Sequence, residues 1–488
     1  MSNTKLAAVA LLSIVVAGCG TSSAPGGSSA LADPAAPGAA EARVVIADLD
    51  TGINPYHAFY NASGTVTQSP IYPPGSPPSA VTPEVLSEFG VDAAHVITLT
   101  RTGDFAADFA ADEAIWKSIK RGELYWFKGT NIIAVSFVDQ KAGVVPILPE
   151  GSTHGVGTSS AALTANPEAV LLFVEQGDAG IGSDETHQFA FNHPLVDILT
   201  TSYGVSFAMG LVPAPETNRF LGTYEAVVGQ GKLHFSSSGN GPGLSPFRAG
   251  AGPWWDIGVS GVEEDSSNGR TLLSGLFPDF LADFTQTLPY CYQCEDGYEQ
   301  FVAGTSFSTP RAAGVASRVV LEARRALKHV GPIKMVDGLP IMVVGADGTT
   351  TISNWQIRRA LEDAAFTPGL ADYDPVEGVF DLGGLPINPV APWVQVGWGV
   401  LSSNPDRGVV AEALAHLGLG GEAHAKDPGY CDFQTKIMQE RMLYWDNLAN
   451  TLDPIGSVVI SPGTPVPGSP ESQRYIFCGS SLPPLPAS

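Results

Sequence analysis

Six short segments of almost uniformly apolar residues constrain the fold of this 488-residue chain more than any other feature. A strand is apolar along its whole length when both of its faces are buried, as in parallel sheets that helices cover on both sides. Stretches with the spacing of amphipathic helices lie between these segments. The sequence therefore predicts an α/β fold with a mostly parallel central sheet. The predicted strands are residues 43–48, 131–138, 169–175, 196–202, 232–237 and 256–262, and the predicted helices include 220–228, 306–327 and 355–365.

The chain carries a large excess of acidic residues, 49 Asp and Glu against 25 Lys and Arg, which gives a formal net charge of −24. Nucleic acids and anionic lipid surfaces attract proteins through clustered Lys and Arg side chains, and the sequence contains no such cluster. We therefore expect no nucleic-acid partner. An acidic chain is compatible with bound cations such as Ca²⁺, but the charge alone indicates no site.

The N-terminal residues resemble an export signal. Lys5 precedes an apolar stretch, residues 6–18, that is too short to span a bilayer. It ends in a Val-Ala-Gly-Cys sequence at Cys19, which resembles the lipobox of bacterial lipoprotein signal peptides. That resemblance implies a signal peptide of residues 1–18 and a lipid on Cys19, whereas an ordinary signal peptide cut nearby is the alternative. Residues 19–42 are rich in Ser, Gly, Ala and Pro and are predicted to be a flexible tether.

Four cysteines follow Cys19, and an even number in an exported chain favours disulfides. We expect the pairs Cys291–Cys294 and Cys431–Cys478, since the latter two bracket a C-terminal segment. A single Cys-x-x-Cys with two distant cysteines is weak support for zinc, which usually binds two paired clusters. No metal site is therefore predicted.

Polar residues lie where several predicted strands and helices begin or end. Asp50 closes the first strand and precedes a Thr-Gly turn, His154 begins a helix of small residues, and Asn240 follows the strand 232–237. Ser306 begins the helix 306–327 after a Gly-Thr pair, so its hydroxyl meets the positive end of the helix dipole. Each feature alone is common in turns and helix caps. Together they are the parts of nucleophilic acyl transfer.

These residues and their order along the chain resemble the subtilisin-like serine peptidases. The run Gly-Thr-Ser-Phe-Ser-Thr-Pro around Ser306 is similar to the Gly-Thr-Ser-x-x-(Ala/Thr)-Pro motif of that family. Asp50-Thr-Gly, His154-Gly and Gly-Asn240 are similar to three further family motifs, and Ser202-Tyr203-Gly204 to the end of its substrate-binding strand. The resemblance implies a three-layer α/β/α fold for a peptidase domain of residues 43–417. A related family with a Ser-Glu-Asp triad fits less well, because its acid–base group is Glu.

The resemblance implies a role for each matched residue. Ser306 is the nucleophile, His154 its general base and then acid, and Asp50 the residue that orients His154. The side chain of Asn240 and the backbone N–H of Ser306 form the oxyanion hole. The backbone of Ser202, Tyr203 and Gly204 binds an extended peptide or protein substrate. This chemistry requires no cofactor, and structural calcium remains possible.

Several other polar or aromatic residues have structural interpretations. Asp48 is an alternative to Asp50, but only Asp50 precedes the Thr-Gly turn. The neighbouring residues Trp254 and Trp255 are expected to be buried. Four further histidines are expected to have structural roles, since their spacing is not that of metal ligands: His57, His187, His193 and His234.

Three features depart from the family pattern. Val156 stands where the family usually has Thr, and 104 positions separate Asp50 from His154. The long separation predicts an insertion within residues 55–150, and the Pro- and Gly-rich residues 418–488 predict a C-terminal extension. The segment between Cys19 and the first strand is too short for the large propeptide that secreted members commonly carry, so we expect the protein to fold either without one or with help from another molecule.

The sequence thus predicts a serine endopeptidase with a lipid anchor in the bacterial cell envelope, outside the cytoplasm. The main alternative is a catalytically silent lipoprotein of the same fold that acts as a binding or scaffold protein. Acyl transfer other than hydrolysis, such as peptide ligation, is a further alternative. The oligomeric state is left open.

Overall fold

The computed structural model describes residues 42–61, 69–72, 78–138, 144–149, 152–176, 184–203, 222–240, 253–263, 278–366 and 396–426, with residues 428, 429, 431 and 434. The predicted signal peptide with Cys19, most of the tether, Gly204, Cys478 and most of the C-terminal extension lie outside these residues. The predictions for them stay predictions.

A nine-stranded sheet forms the centre of the described chain. Its strands are β1 (Val45–Asp50), β2 (Val96–Ile97), β3 (Leu124–Phe127), β4 (Ile132–Ser136), β5 (Val170–Glu175), β6 (Ile198–Thr201), β7 (Leu233–Ser237), β8 (Ile257–Val262) and β9 (Phe280–Asp283). Their order is β2-β3-β4-β5-β1-β6-β7-β8-β9. All neighbouring strands are parallel except β3 and β4. The predicted α/β fold with a mostly parallel sheet is confirmed, and each of the six apolar segments overlaps one of its strands.

The helices lie in the connections between strands. They are α1 (Pro83–Glu88), α2 (Phe105–Ala111), α3 (Glu113–Ser118), α4 (His154–Ala165), α5 (Asp184–Asn192), α6 (Thr305–Leu327), α7 (Asn354–Ala364) and α8 (Val409–His416). The predicted helices 306–327 and 355–365 correspond to α6 and α7. The described part of the predicted helix 220–228 overlaps the π-helical turn Glu225–Gly229. Three small hairpins complete the fold: β10 (Thr285–Leu288) with β11 (Glu299–Ala303), β12 (Lys334–Val336) with β13 (Leu339–Ile341), and β14 (Val343–Val344) with β15 (Thr351–Ile352).

Alternate residues of the central strands face two separate helix layers, because strand side chains point to opposite sides in turn. In β1, Ile46 belongs to the core that includes residues of α4, α6 and α7. Its neighbours Val45, Ala47 and Leu49 belong to the core that includes residues of α1 and α5. The three-layer α/β/α arrangement follows from these two cores.

The two helices that carry His154 and Ser306 in their first turns pack directly against each other. A Cβ atom on Gly314 of α6 would lie 2.4 Å from the carbonyl oxygen of Ala162 in α4 and 2.7 Å from the Cβ of Ala165. Only glycine allows so close an approach. This contact fixes the position of α6 relative to α4, and hence that of Ser306 relative to His154.

None of the helices in the described part of the chain is both long and apolar enough to cross a membrane.

Candidate active site

Asp50 and His154 are joined by hydrogen bonds at the carboxyl edge of the sheet. Asp50 is the last residue of β1 and is buried, and His154 is the first residue of α4 and is half-buried. Nδ1 of His154 lies 2.8 Å from Oδ1 of Asp50 and 2.9 Å from Oδ2. An ionised carboxylate only accepts hydrogen bonds, so Nδ1 carries a proton, and in the neutral imidazole Nε2 is then free of one. This is the tautomer that a general base requires.

The surroundings of His154 favour its protonated form. Burial acts to lower the pKa of His154, but the negative charge of Asp50 and the hydrogen bond to it outweigh burial. The pKa of His154 therefore lies above its usual range. A base with a raised pKa takes a proton more readily from a hydroxyl.

Two glycines allow the Asp50 turn to touch the start of α4. A Cβ atom on Gly155 would lie 2.3 Å from the carbonyl oxygen of Gly52, and one on Gly52 would lie 2.8 Å from Cα of Pro149. The N–H of Gly155 also donates to Oγ1 of Thr51 at 3.3 Å. The Thr-Gly and His-Gly pairs are thus explained by close backbone packing, which holds the carboxylate against the imidazole.

Ser306 lies in the first turn of α6, where Pro310 leaves one carbonyl without its helical partner. Proline has no N–H, so the carbonyl oxygen of Ser306 receives no hydrogen bond from residue 310. Oγ of Ser202 donates to that oxygen instead, at 2.7 Å. In return, Oγ of Ser306 donates to the carbonyl oxygen of Ser202 at 3.1 Å. The two serines therefore bind each other reciprocally.

Asn240 is held beside the start of α6 by its carbonyl group. Its Oδ1 accepts hydrogen bonds from the N–H of Thr305 at 2.8 Å and from Oγ1 of Thr305 at 2.9 Å. Because Oδ1 is occupied, Nδ2 is directed away from Thr305, and a Cβ atom on Gly304 would lie 3.2 Å from it. Asn240 is exposed. An exposed amide donor is therefore fixed next to Ser306.

The structure brings the Ser306 hydroxyl to Ser202 rather than to His154. Within the described residues, Oγ of Ser306 donates only to Ser202, and the aromatic neighbour of His154 is Phe307, with ring centroids 5.5 Å apart. Hydrogen bonds between a nucleophile and its base are often unformed without substrate. The geometry thus includes an imidazole with an orienting carboxylate, and a serine whose hydroxyl is held by a different acceptor.

Asp48 is a second buried carboxyl group on the same face of β1. Its Oδ2 accepts from Oγ1 of Thr158 at 2.8 Å, whereas Oδ1 has no hydrogen-bond partner among the described residues. Burial, and then the charge of Asp50, raise the pKa of Asp48 well above its usual range. Of the two carboxyl groups, only Asp50 hydrogen-bonds His154 in the described part of the chain.

The other sequence-derived residues lie as follows. Ser202 and Tyr203 follow β6, and Trp254 and Trp255 are both buried. The disulfide Cys291–Cys294 is formed.

One group of three metal-type ligands lies within the described residues, formed by His57, Cys291 and Cys294. The two sulfurs are joined in the disulfide. Nδ1 of His57 accepts from the N–H of Phe59, and its Nε2 donates to the carbonyl oxygen of Gly297. Each of the ligand atoms thus already has a bond or a hydrogen bond, and we assign the group a structural role.

Sequence reasoning missed the side chain of Ser202 and the role of Pro310. The signal was available, because a proline four residues after Ser306 leaves the Ser306 carbonyl in need of a donor.

Comparisons with known proteins give distant structural similarities only. No family model and no curated protein matches the chain. Similar solved structures include the prenylagaramide maturation protease PagA, at 14% identity and a TM-score of 0.41, with 78% of this chain and 94% of that chain covered. The PatG macrocyclase in complex with peptide has 13% identity, a TM-score of 0.42 and coverages of 78% and 93%. A cold-adapted subtilisin-like serine proteinase has 15% identity, a TM-score of 0.37 and coverages of 69% and 87%. At these values the assignment of function depends on the site itself.

Proposed function

We propose that this protein is a serine endopeptidase that forms an acyl-enzyme on Ser306. The observation that carries the proposal is the hydrogen-bonded pair of Asp50 and His154 at the sheet edge. It is supported by a serine in the first turn of α6 and by the amide of Asn240 beside it. A catalytically silent scaffold has no need of this arrangement.

The reaction follows from the roles of these groups. Oγ of Ser306 attacks the peptide carbonyl carbon as its proton passes to Nε2 of His154, while Asp50 stabilises the resulting imidazolium. The oxygen that becomes negative accepts hydrogen bonds from Nδ2 of Asn240 and from the N–H of Ser306. His154 then protonates the leaving amine, and the C–N bond breaks. Water, activated by the same imidazole, releases the acid product and restores Ser306.

The reciprocal hydrogen bonds between the two serines indicate how substrate prepares the nucleophile. A peptide that binds along residues 202–204 as an added strand offers a backbone N–H to the carbonyl oxygen of Ser202. That oxygen is the present acceptor of the Ser306 hydroxyl. The peptide N–H replaces the hydroxyl there, and the hydroxyl becomes available to His154.

The proposal is tested by where a fluorophosphonate attaches. Such reagents phosphonylate a serine that a base activates, so we expect stoichiometric labelling of the full-length protein, with the modified peptide containing Ser306. His154→Ala should abolish labelling, and peptide mass spectrometry identifies the site. Wild-type protein that stays unlabelled, or that is labelled at another serine, would contradict the proposal and favour the silent scaffold.

We also propose that the enzyme acts outside the cytoplasm on a lipid anchor at Cys19. The Val-Ala-Gly-Cys sequence and the Cys291–Cys294 disulfide support this proposal, since disulfides persist in oxidising compartments. We expect wild-type protein expressed in a bacterium to fractionate with membranes, and Cys19→Ala to leave them. Mass spectrometry of the N-terminal peptide measures the lipid. An unmodified Cys19 in mature protein would refute the anchor.

A further inference from the structure

The residues on both sides of Ser202 are hydrogen-bonded to buried histidines. Ser202 faces α6, so Thr201 and Tyr203 face the opposite layer, because strand side chains alternate. Thr201 bonds to His234, and Tyr203 bonds to His187. Each histidine comes from a different element, β7 and α5. The carbonyl that holds Ser306 therefore lies between two polar anchors.

The anchor at Thr201 is part of a buried chain of hydrogen bonds. Nε2 of His234 lies 2.9 Å from Oγ1 of Thr201, and Nδ1 of His234 donates to Oδ1 of Asp256 at 2.7 Å. Oγ1 of Thr223 donates to the other oxygen of Asp256 at 3.0 Å. Oγ1 of Thr201 also lies 3.1 Å from Oγ of Ser236. These hydrogen bonds thus join β6, which leads to Ser202, to β7, which leads to Asn240.

The anchor at Tyr203 comes from the helix layer. Oη of Tyr203 and Nε2 of His187 are 2.6 Å apart, and the two rings meet edge to face with centroids 5.6 Å apart. His187 is buried in α5. A half-buried tyrosine is thereby fixed at both its ring and its hydroxyl.

Stability alone gives no reason for these polar groups. The core on this side of the sheet includes the apolar residues Ala190, Phe191 and Leu199. A buried His–Asp pair is expensive to desolvate, and apolar residues of similar size are often as stabilising. What hydrogen bonds add is a fixed position, because they are directional. The hydrogen bonds of Thr201 and Tyr203 both act to fix the position of Ser202, which lies between them.

We propose that His234 and His187 are positioning residues that fix the Ser202 carbonyl for the peptide substrate. The inference depends on the proposed peptidase function, in which this carbonyl binds a substrate N–H. The histidines touch neither substrate nor Ser306. They act through Thr201 and Tyr203, and we name the four residues the histidine clamp.

The test compares peptide hydrolysis with fluorophosphonate labelling in Thr201→Val. Valine keeps the shape of threonine but removes the hydroxyl that His234 binds. We expect kcat/KM for a peptide to fall about tenfold to a hundredfold, the scale of a small misplacement at a reactive centre. The labelling rate of Ser306 should change far less than kcat/KM, since the reagent offers no backbone N–H to Ser202. Thr201→Ser, which restores the hydroxyl, should recover most of the peptide activity.

A matched control distinguishes a loss of positioning at Ser202 from the general effect of removing a buried threonine hydroxyl. Thr130 is another buried threonine, with Oγ1 donating to the carbonyl oxygen of Phe127 at 2.7 Å, and Thr130→Val should leave both rates unchanged. Equal losses of hydrolysis and labelling in Thr201→Val, or no loss of either, would overturn the clamp. If that variant fails to fold, Tyr203→Phe tests the His187 side with the same two rates. Wild-type protein without label at Ser306 instead refutes the peptidase proposal itself.

Discussion

Ser306→Ala should lower kcat for peptide hydrolysis by about 10⁶-fold, the scale of losing a triad member. The triad acts as a unit, so neither His154 nor Asp50 can compensate for the missing oxygen. Ser306 is half-buried at the start of α6, and losing one hydroxyl should leave the fold intact. The measurement is single-turnover hydrolysis of a fluorogenic peptide, with the thermal unfolding midpoint of both proteins recorded beside it.

Ser308 provides a matched control for this variant. It lies two residues further along the same helix, and its buried Oγ contacts the carbonyl oxygen of Gly304 at 3.4 Å. Ser308→Ala should hydrolyse the peptide at a rate close to that of the wild type. Activity retained by Ser306→Ala, in protein free of contaminating peptidase, would remove Ser306 from the mechanism.

Asp50→Asn should lower kcat by about 10⁴-fold and move the acid side of the pH profile. Activity requires neutral His154, so it is lost as pH falls through the pKa of that residue. In the wild type Asp50 raises this pKa, so the half-activity point should lie above about pH 6.5, the ordinary histidine value. Without the charge of Asp50, burial lowers the pKa of His154, and the pH of half-maximal activity should fall with it. The dependence of kcat/KM on pH measures both effects.

Asp48 is the control for the charge of Asp50, since it lies two residues earlier on the same face of β1. Burial and the charge of Asp50 raise the pKa of Asp48 and so disfavour its charged form, and Asp48 makes its hydrogen bond to Thr158 rather than to His154. We expect the pH profile of Asp48→Asn to lie closer to that of the wild type than the profile of Asp50→Asn does. A profile for Asp50→Asn that coincides with the wild-type profile would show that Asp50 does not set the pKa of His154.

The fold could be predicted because its strands are marked by the sequence itself. In β1, for example, Ile46 faces one apolar core, and Val45, Ala47 and Leu49 face the other. Because both faces are buried, the segment is apolar almost throughout. Strand order is a different matter: β5 pairs with β1 across more than a hundred positions, and no local pattern specifies that register. The neighbouring strands β2 and β3, at one side of the sheet, were missed because they are short and half-buried.

The candidate site could be predicted as a set of residues but not as a geometry. The glycines around Asp50 and His154 indicate close packing, and the structure places their side chains within hydrogen-bond distance. The acceptor of the Ser306 hydroxyl could not be foreseen, because it is a backbone carbonyl and any residue carries one. The histidine clamp could not be predicted from the sequence either, since His187 and His234 have no characteristic spacing.

The hydrogen bonds of the site have a consequence for synthesis. Asp50 meets His154, and Ser202 meets Ser306, in each case across 104 positions. Contacts between such distant residues form late in folding, because the intervening chain must first be ordered. On the proposed mechanism, a ribosome that has made the first 300 residues has therefore produced a base without a nucleophile. We expect the nascent chain to cleave neither itself nor its neighbours until α6 has emerged and docked.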